Sequence, residues 1–394
     1  MTRSVESIVA PDILEWARTT SGMSIDEAAA KIPTKPENLA AWENGKANPS
    51  MSQLRKMVVI YKRPISDFYL PKAPDEKPLP HDFRRLPGEI AFRYSRELRY
   101  QLRAATERRQ LALDLAKELD QQIRPFVAKV VYPSDPEVAG KYIRDLLAIS
   151  FNLQSTWKDP RVGYNSWRAA IERIGVLVFQ VTGISTREML GFSLVENLLP
   201  VIAVNRKLLP NGRTFTLVHE LAHLLIGKSS ICDIEEGEQR PPQEQAVEVF
   251  CNAVAAATLV PRDQLINDPL IVGRPKASLD WSNDEIAVLA KRFCVSQEVI
   301  FRRLVTFGLA SAKDYANRRR IWGTIFDDVA PVDPEAEIRR NMPQEVISNF
   351  GKPFTQLVYS SYENSYTSLS DVSKFLGLRP EKVSKLQDLL ARGH

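Results

Sequence analysis

Residues 216–227, TLVHELAHLLIG, constrain this chain more than any other stretch. They hold His219, Glu220 and His223 in an H-E-x-x-H arrangement. On a helix, residues four apart face the same way, so both imidazoles can meet one ion. The pattern is that of two zinc ligands with a glutamate general base between them. Leu217, Val218, Leu221, Ala222, Leu224, Leu225 and Ile226 surround the three polar groups and predict a buried helix. Two histidines and a carboxylate buried without a partner would be costly, so the apolar setting favours a bound metal. Gly227 suits the end of such a helix. Of the four histidines in the chain (81, 219, 223 and 394), two lie here.

A catalytic zinc site needs a third protein ligand and an open fourth position. Downstream, Pro242 suits a first helical turn, and QEQAVEVFCNAVAAATLV predicts a helix that stops before Pro261. Glu248 stands in its middle among Val247, Val249 and Phe250, an acid set in apolar surroundings, and is the candidate third ligand. Glu244 lies in the first turn, where an acid complements the helix dipole. Asn252, one turn beyond Glu248, is placed to hydrogen-bond a ligand from behind.

The 394 residues suffice for two or three domains. With 44% hydrophobic and 26% charged residues the composition is that of an ordinary globular chain. A net charge of +5 permits contact with nucleic acid without demanding it. Cys232, Cys251 and Cys294 show no C-x-x-C spacing, so they are expected as buried thiols in a reducing cytoplasm. No apolar signal segment opens the sequence, and the apolar runs 174–186 and 249–261 are too short to span a bilayer. A cytoplasmic protein with no membrane partner is expected.

Residues 12–70 predict five short helices. Ile13, Leu14 and Ala17 give the first its apolar face. Ser24 and Glu27 form a capping box for the second, Pro33 ends it, and PENLAAWENG makes the third. Pro49-Ser50 then opens a helix with Leu54, Val58 and Tyr61 inward. This is helix-turn-helix spacing. The Trp42-Glu43-Asn44-Gly45 ending followed by Pro49 resembles the Xre/Cro-repressor type. Base readout favours Arg, Lys, Asn or Gln on the second helix. Lys35 and Asn38 are the candidate DNA contacts there, but Glu37, Ala40 and Ala41 make a poor reading head.

Five prolines in residues 71–88 predict an extended linker, with His81 an exposed loop residue. A long amphipathic helix is expected from residue 90 to about 122. Its arginines (93, 96, 99, 103, 108 and 109) form what looks like a solvated face. Helices are expected over 135–151 and 164–174. Short strands follow over 175–180, 189–194 and 200–205, with Asn211-Gly212 as the turn into the H-E-x-x-H helix. Residues 228–242 predict a polar loop carrying Asp233, Glu235, Glu236 and Glu238. Two further helical pairs fall at 283–304 and 368–390, separated by a Pro- and acid-rich spacer at 329–337. The strand 191–194, just before the motif helix, is expected to pair with an extended substrate.

Three stretches together resemble the ImmA/IrrE family of metallopeptidases. HELAHLLIG is followed by E-x-x-C-N-A-V-A-A-A-T-L-V-P, where the family reads E-x-x-A-N-x-F-A-x-x-L-L-M-P. Glu248, Asn252 and Pro261 fall in register; Cys251, Val254, Thr258 and Val260 replace Ala, Phe, Leu and Met. GFSL at 191–194 and PVIAVN at 200–205 also look like this family, as do the RPISDFYLP and HDFRRLPG segments after the N-terminal module. The likeness weakens after about residue 320.

The resemblance implies a mainly α fold with a small β-sheet (α+β). Its parts would be a Xre/Cro-type domain at 1–74, a Pro-rich linker at 75–89, and a zincin-like peptidase domain at 90–280. A helix-turn-helix-like helical subdomain would follow at 281–325, then a helical region at 326–394. It also implies Zn2+ held by His219, His223 and Glu248, with Glu220 as base. The implied substrate is an Xre-type repressor, whose cleavage relieves transcription of stress-response or mobile-element genes. Two rival roles are a DNA-binding regulator whose zincin core is a sensor or scaffold, and a toxin–antitoxin component. An intact Glu220 favours the enzyme, since a scaffold has no use for it.

Overall fold

Hydrophobic runs and their breakers set the architecture of the computed structural model, which describes residues 7–74, 94–232, 242–274, 279–327 and 342–391. The linker with His81, Arg93, the acidic run 233–238 and the spacer 329–337 fall outside the described residues. The expected mainly helical α+β class is found. Among the described residues the chain forms two compact units, one holding everything up to Thr106 and the other starting at Glu107.

The first unit has α-helices Pro11–Thr20, Ile25–Lys31, Pro36–Glu43 and Met51–Tyr61, then a 3₁₀ helix Ile65–Tyr69. Capping boxes open two of them, Ser24 with Glu27 and Ser50 with Gln53. Each satisfies amide hydrogens that the first turn leaves without a partner. Ile13, Ala28, Leu39, Trp42, Leu54 and Phe68 fill the core. Glu43 takes a two-point ion pair from the buried Arg18 (Nε–Oε1 2.7 Å, Nη2–Oε2 2.9 Å), while Arg18 Nη1 donates to the Met23 carbonyl at 2.8 Å. This pair ties the first helix to the end of the third.

Helix Arg96–Glu118 corrects the expectation of a solvated arginine face. Arg96 Nη1 donates to Ile60 O (3.2 Å), and Arg103 Nη2 donates to Lys62 O (2.8 Å). They cap carbonyls that the helix ending at Tyr61 leaves open. Farther along, Arg109 is buried and donates to the Leu198 and Leu199 carbonyls. The helix stops short of residue 122, and Asp120 adopts a left-handed φ of 51° just past its end.

The second unit is organised on a four-stranded sheet. Its strands are β1 (Leu177–Val181), β2 (Gly191–Leu194), β3 (Val201–Asn205) and β4 (Ser230–Cys232), in the spatial order β1-β3-β2-β4. β1 runs parallel to β3, whereas β2 is antiparallel to both β3 and β4. β1 and β3 are buried along their whole length, as their unbroken apolar runs require. Gly175, at φ 90°, turns the chain out of helix Pro160–Arg173 towards β1.

Three expectations change here. Asn211 and Gly212 lie inside the first turn of helix Pro210–Leu225, because Pro210 takes the first helical position, where its missing N–H costs nothing. The stretch expected as a loop from 228 opens with β4. β2 has a partner on each side, so it offers no edge to a substrate.

Helix Pro210–Leu225 packs against β2, β3 and helices Pro160–Arg173 and Pro242–Leu259. Helix Pro242–Leu259 is pinned at its C-terminal end. The carbonyls of Thr258, Leu259 and Val260 accept from Arg144 Nη1 (2.8 Å), Gln154 Nε2 (2.8 Å) and Arg303 Nε (3.0 Å). These donors satisfy terminal carbonyls, and the two cations suit the negative end of the helix dipole. Gly140 lets helix Pro136–Leu147 approach its backbone, since a Cβ there would lie 2.8 Å from Thr258 N. The helical pair Asn283–Phe293 and Gln297–Thr306 extends the same core through Phe293 and Ile300.

Helix Met342–Phe350 lies against β1. Arg168 Nη1 and Gln180 Nε2 both donate to Ser348 O (2.5 and 2.6 Å). The C-terminal helices Lys352–Glu363, Leu369–Leu376 and Pro380–Ala391 follow. No helix among the described residues is long and apolar enough to cross a membrane.

Candidate metal centre

Helix Pro210–Leu225 presents His219 and His223 on one face, one turn apart, with ring centroids 4.8 Å from each other. Glu248 comes from helix Pro242–Leu259, which packs alongside. His223 Nε2 lies 3.0 Å from Glu248 Oε1, His219 Nε2 lies 3.4 Å from Glu248 Oε2, and the two Nε2 atoms are 3.1 Å apart. One ligating atom from each residue falls within 4.8 Å of the others, and all three residues are buried. Phe215, one turn before His219, stacks on its ring.

Burial alone would push the Glu248 carboxyl up. Hydrogen bonds and positive charge from His219 and His223 outweigh it and hold that carboxyl well below the usual carboxylate range. An ionised carboxylate facing two imidazoles through their Nε2 atoms is a ready donor set for a divalent cation, and His2Glu suits zinc. Cys251 lies one turn from Glu248. Burial, with the nearby Glu248 and Glu220 charges, pushes its thiol well up, so it stays a neutral buried thiol rather than a thiolate ligand.

Glu220 is fully buried on the same helix. Its Oε2 accepts from Ser230 Oγ at 2.7 Å, and Ser230 Oγ is 3.0 Å from Ser193 Oγ. Among the described residues Oε1 is buried with no hydrogen-bond partner. A carboxylate oxygen left open in an apolar site costs free energy unless it serves a proton or a ligand. Beside it, Gly191 on β2 leaves room that any side chain would fill: a Cβ there would lie 3.1 Å from Glu220 Oε1 and 2.5 Å from Thr216 Cγ2.

Thus His219, His223 and Glu248 come together, and Glu220 lies next to His219 on the same helix. Asn252 is half-buried one turn beyond Glu248, and no hydrogen bond from it to His219, His223 or Glu248 occurs among the described residues. Lys35 and Asn38 stand in the other unit, exposed at the start of helix Pro36–Glu43. Ser230 and Ser193 escape a reading of the sequence. The alternation of small residues, Gly191 and Ser193, along one side of β2 is the signal that could have found them.

Residues 171–305 match the model of the IrrE N-terminal-like domain, and residues 14–68 match a helix-turn-helix model. The chain is also similar to the radiation response metalloprotease IrrE of Deinococcus deserti, with 36% identity over 98 residues. That match takes in 24% of this chain and 32% of the relative, about a third of its length. These matches bear out the resemblance to ImmA/IrrE metallopeptidases and to the Xre-type module. The His219–His223–Glu248 cluster and Glu220 all fall within the IrrE-like segment.

Proposed function

We propose that the chain is a zinc-dependent, site-specific endopeptidase of the cytoplasm that regulates transcription by cutting an Xre-type repressor. The observation that carries this reading is the convergence of two imidazoles and one carboxylate, on a helix that also carries a buried glutamate with an oxygen lacking a hydrogen-bond partner among the described residues. His219, His223 and Glu248 would hold the ion. Zinc, when bound by three protein ligands, supplies a water of lowered pKa and polarises a scissile carbonyl.

The chain's own residues do the rest. Glu220 takes a proton at Oε1, because Oε2 is already held by Ser230, and passes it to the leaving amine. The surrounding apolar side chains keep bulk water away from this transfer. Since β2 is paired on both sides, an extended substrate would add to the outer edge of β4 instead, through the backbone of Ser230–Cys232.

The N-terminal helix-turn-helix supports a role among DNA-bound regulators. Lys35 and Asn38 are exposed where a second helix would meet a groove. This observation favours a second reading, a DNA-binding regulator whose zincin core is a sensor. A mobility-shift assay on the protein's own upstream DNA separates the two: tight, salt-resistant, site-specific binding by residues 1–75 favours the regulator. For the enzyme, co-expression with an Xre-type repressor is the test. Wild type cuts the repressor, and Glu220→Gln keeps its zinc but leaves the repressor whole. Unchanged cleavage by Glu220→Gln would sink the mechanism.

A further inference from the structure

Ser193 and Ser230 face each other across the β2–β4 ladder, Cα partner to Cα partner. Directly opposed residues of an antiparallel pair put their side chains on one face. Gly191, two residues before Ser193, shares that face, and it is the side that meets Glu220. Ser193, Ser230 and Glu220 are each fully buried. Alanine would fill either serine position with no hydroxyl to desolvate, so two buried hydroxyls in line point to a polar task.

Donor logic fixes the direction of the chain. Ser230 Oγ donates to Glu220 Oε2, and a serine has one hydrogen to donate. Ser230 gives its hydrogen to Glu220 Oε2 (2.7 Å), so across the 3.0 Å Ser193–Ser230 contact Ser193 is the donor. Each hydroxyl thereby orients the next.

We infer that Ser230 is a positioning residue for the general base, locking the Glu220 carboxylate through Oε2 so that Oε1 alone is presented for proton transfer, with Ser193 setting the Ser230 hydroxyl. The role rests on the protease reading of the site. Gly191 completes the device by giving Oε1 the space that a side chain would take. A base fixed in one orientation loses less on reaching the transition state than one that must be oriented each time.

The test uses the full zinc-loaded chain in wild-type, Ser230→Ala and Ser193→Ala forms. In crystals, Glu220 occupies one conformer in wild type and spreads over more than one in Ser230→Ala. Zinc affinity, measured by competition with a chromogenic chelator, stays within about twofold, because the serine acts on the base and not on the ligands. With the co-expressed repressor as substrate, Ser230→Ala lowers kcat roughly tenfold to a hundredfold with KM within about twofold, the signature of an interaction made in the transition state. Ser193→Ala gives a smaller loss of about threefold, and the double variant is no worse than Ser230→Ala alone.

A Glu220 carboxylate that keeps its wild-type place in Ser230→Ala overturns the inference, as does an unchanged kcat. A merely structural serine would lower thermal stability and leave both untouched. Should Ser230→Ala not fold, Ser193→Ala is scored on the same two readouts, and an unmoved Glu220 with full turnover overturns the inference there. The crystallographic readout needs no substrate. If wild type cuts nothing, the protease reading fails, while the Glu220 conformers still decide on Ser230.

Discussion

Gly191→Ala is the sharpest test of how closely β2 must approach the motif helix. The added Cβ would sit 2.5 Å from Thr216 Cγ2, 3.0 Å from the Ala203 carbonyl and 3.1 Å from Glu220 Oε1. The Ala203 oxygen belongs to β3, which is paired to both β1 and β2, so it cannot move without its neighbours. Thr216 is itself buried on the motif helix. Forcing a methyl into such a contact costs about 1–3 kcal/mol. Against that, alanine restricts the unfolded chain and returns about 0.4–1 kcal/mol. A net loss of about 1–2 kcal/mol remains, equivalent to roughly 2–8 °C in the melting temperature of a unit this large. Calorimetry of the metal-free protein measures it. The nearest clash is with a single methyl, so Thr216→Ser provides an internal control. In that background the alanine should cost less by about 0.5–1 kcal/mol, a coupling that a double-mutant cycle reads directly. Unaltered stability of Gly191→Ala, or the full loss persisting in the Thr216→Ser background, would refute the close-approach argument.

Arg303→Met leaves the Val260 carbonyl without its cap and frees Glu137 from a two-point ion pair (2.6 and 2.9 Å). Because Glu137 is partly exposed, the loss is set at about 1–3 kcal/mol, to be read from urea midpoints of the second transition. Glu43→Gln strips the buried Arg18 of its charge partner and should lower stability by about 1–3 kcal/mol, visible as an earlier melting of the first unit. Zinc affinity should fall on acidification, because binding a metal at histidine nitrogens releases protons, while the Glu248 carboxyl, held well below the usual range, stays ionised. A flat pH dependence in chelator competition would argue against histidine ligation.

The His219–His223–Glu248 cluster was legible because its signal is local. His219 and His223 sit four residues apart, and Glu248 is an acid inside an apolar helix bounded by Pro242 and Pro261. The helix-turn-helix was legible for the same reason, since Ser24, Glu27, Ser50 and Gln53 cap helices within their own first turns. What the sequence hid depends on distant partners. β4 is three residues long and lies in a Ser-rich stretch too short for a period-2 pattern, so only its pairing with β2 makes it a strand. Ser230 acquires its role from Glu220 and Ser193, which meet it only once the sheet forms. The arginines of helix Arg96–Glu118 repeat like a solvated face, but their acceptors are carbonyls at Ile60, Lys62 and Leu198, which periodicity cannot place. That β2 is flanked on both sides was hidden for the same reason: strand order is a property of the fold.

Metal analysis of the purified full chain beside Glu248→Ala and Glu220→Gln tests the central claim most directly. Wild type and Glu220→Gln should carry stoichiometric zinc, and Glu248→Ala should carry almost none, since Glu248 is the member of the proposed ligand set that comes from a second helix. Stoichiometric zinc in Glu248→Ala, or a wild-type protein that takes up no zinc when it is supplied, would contradict the account.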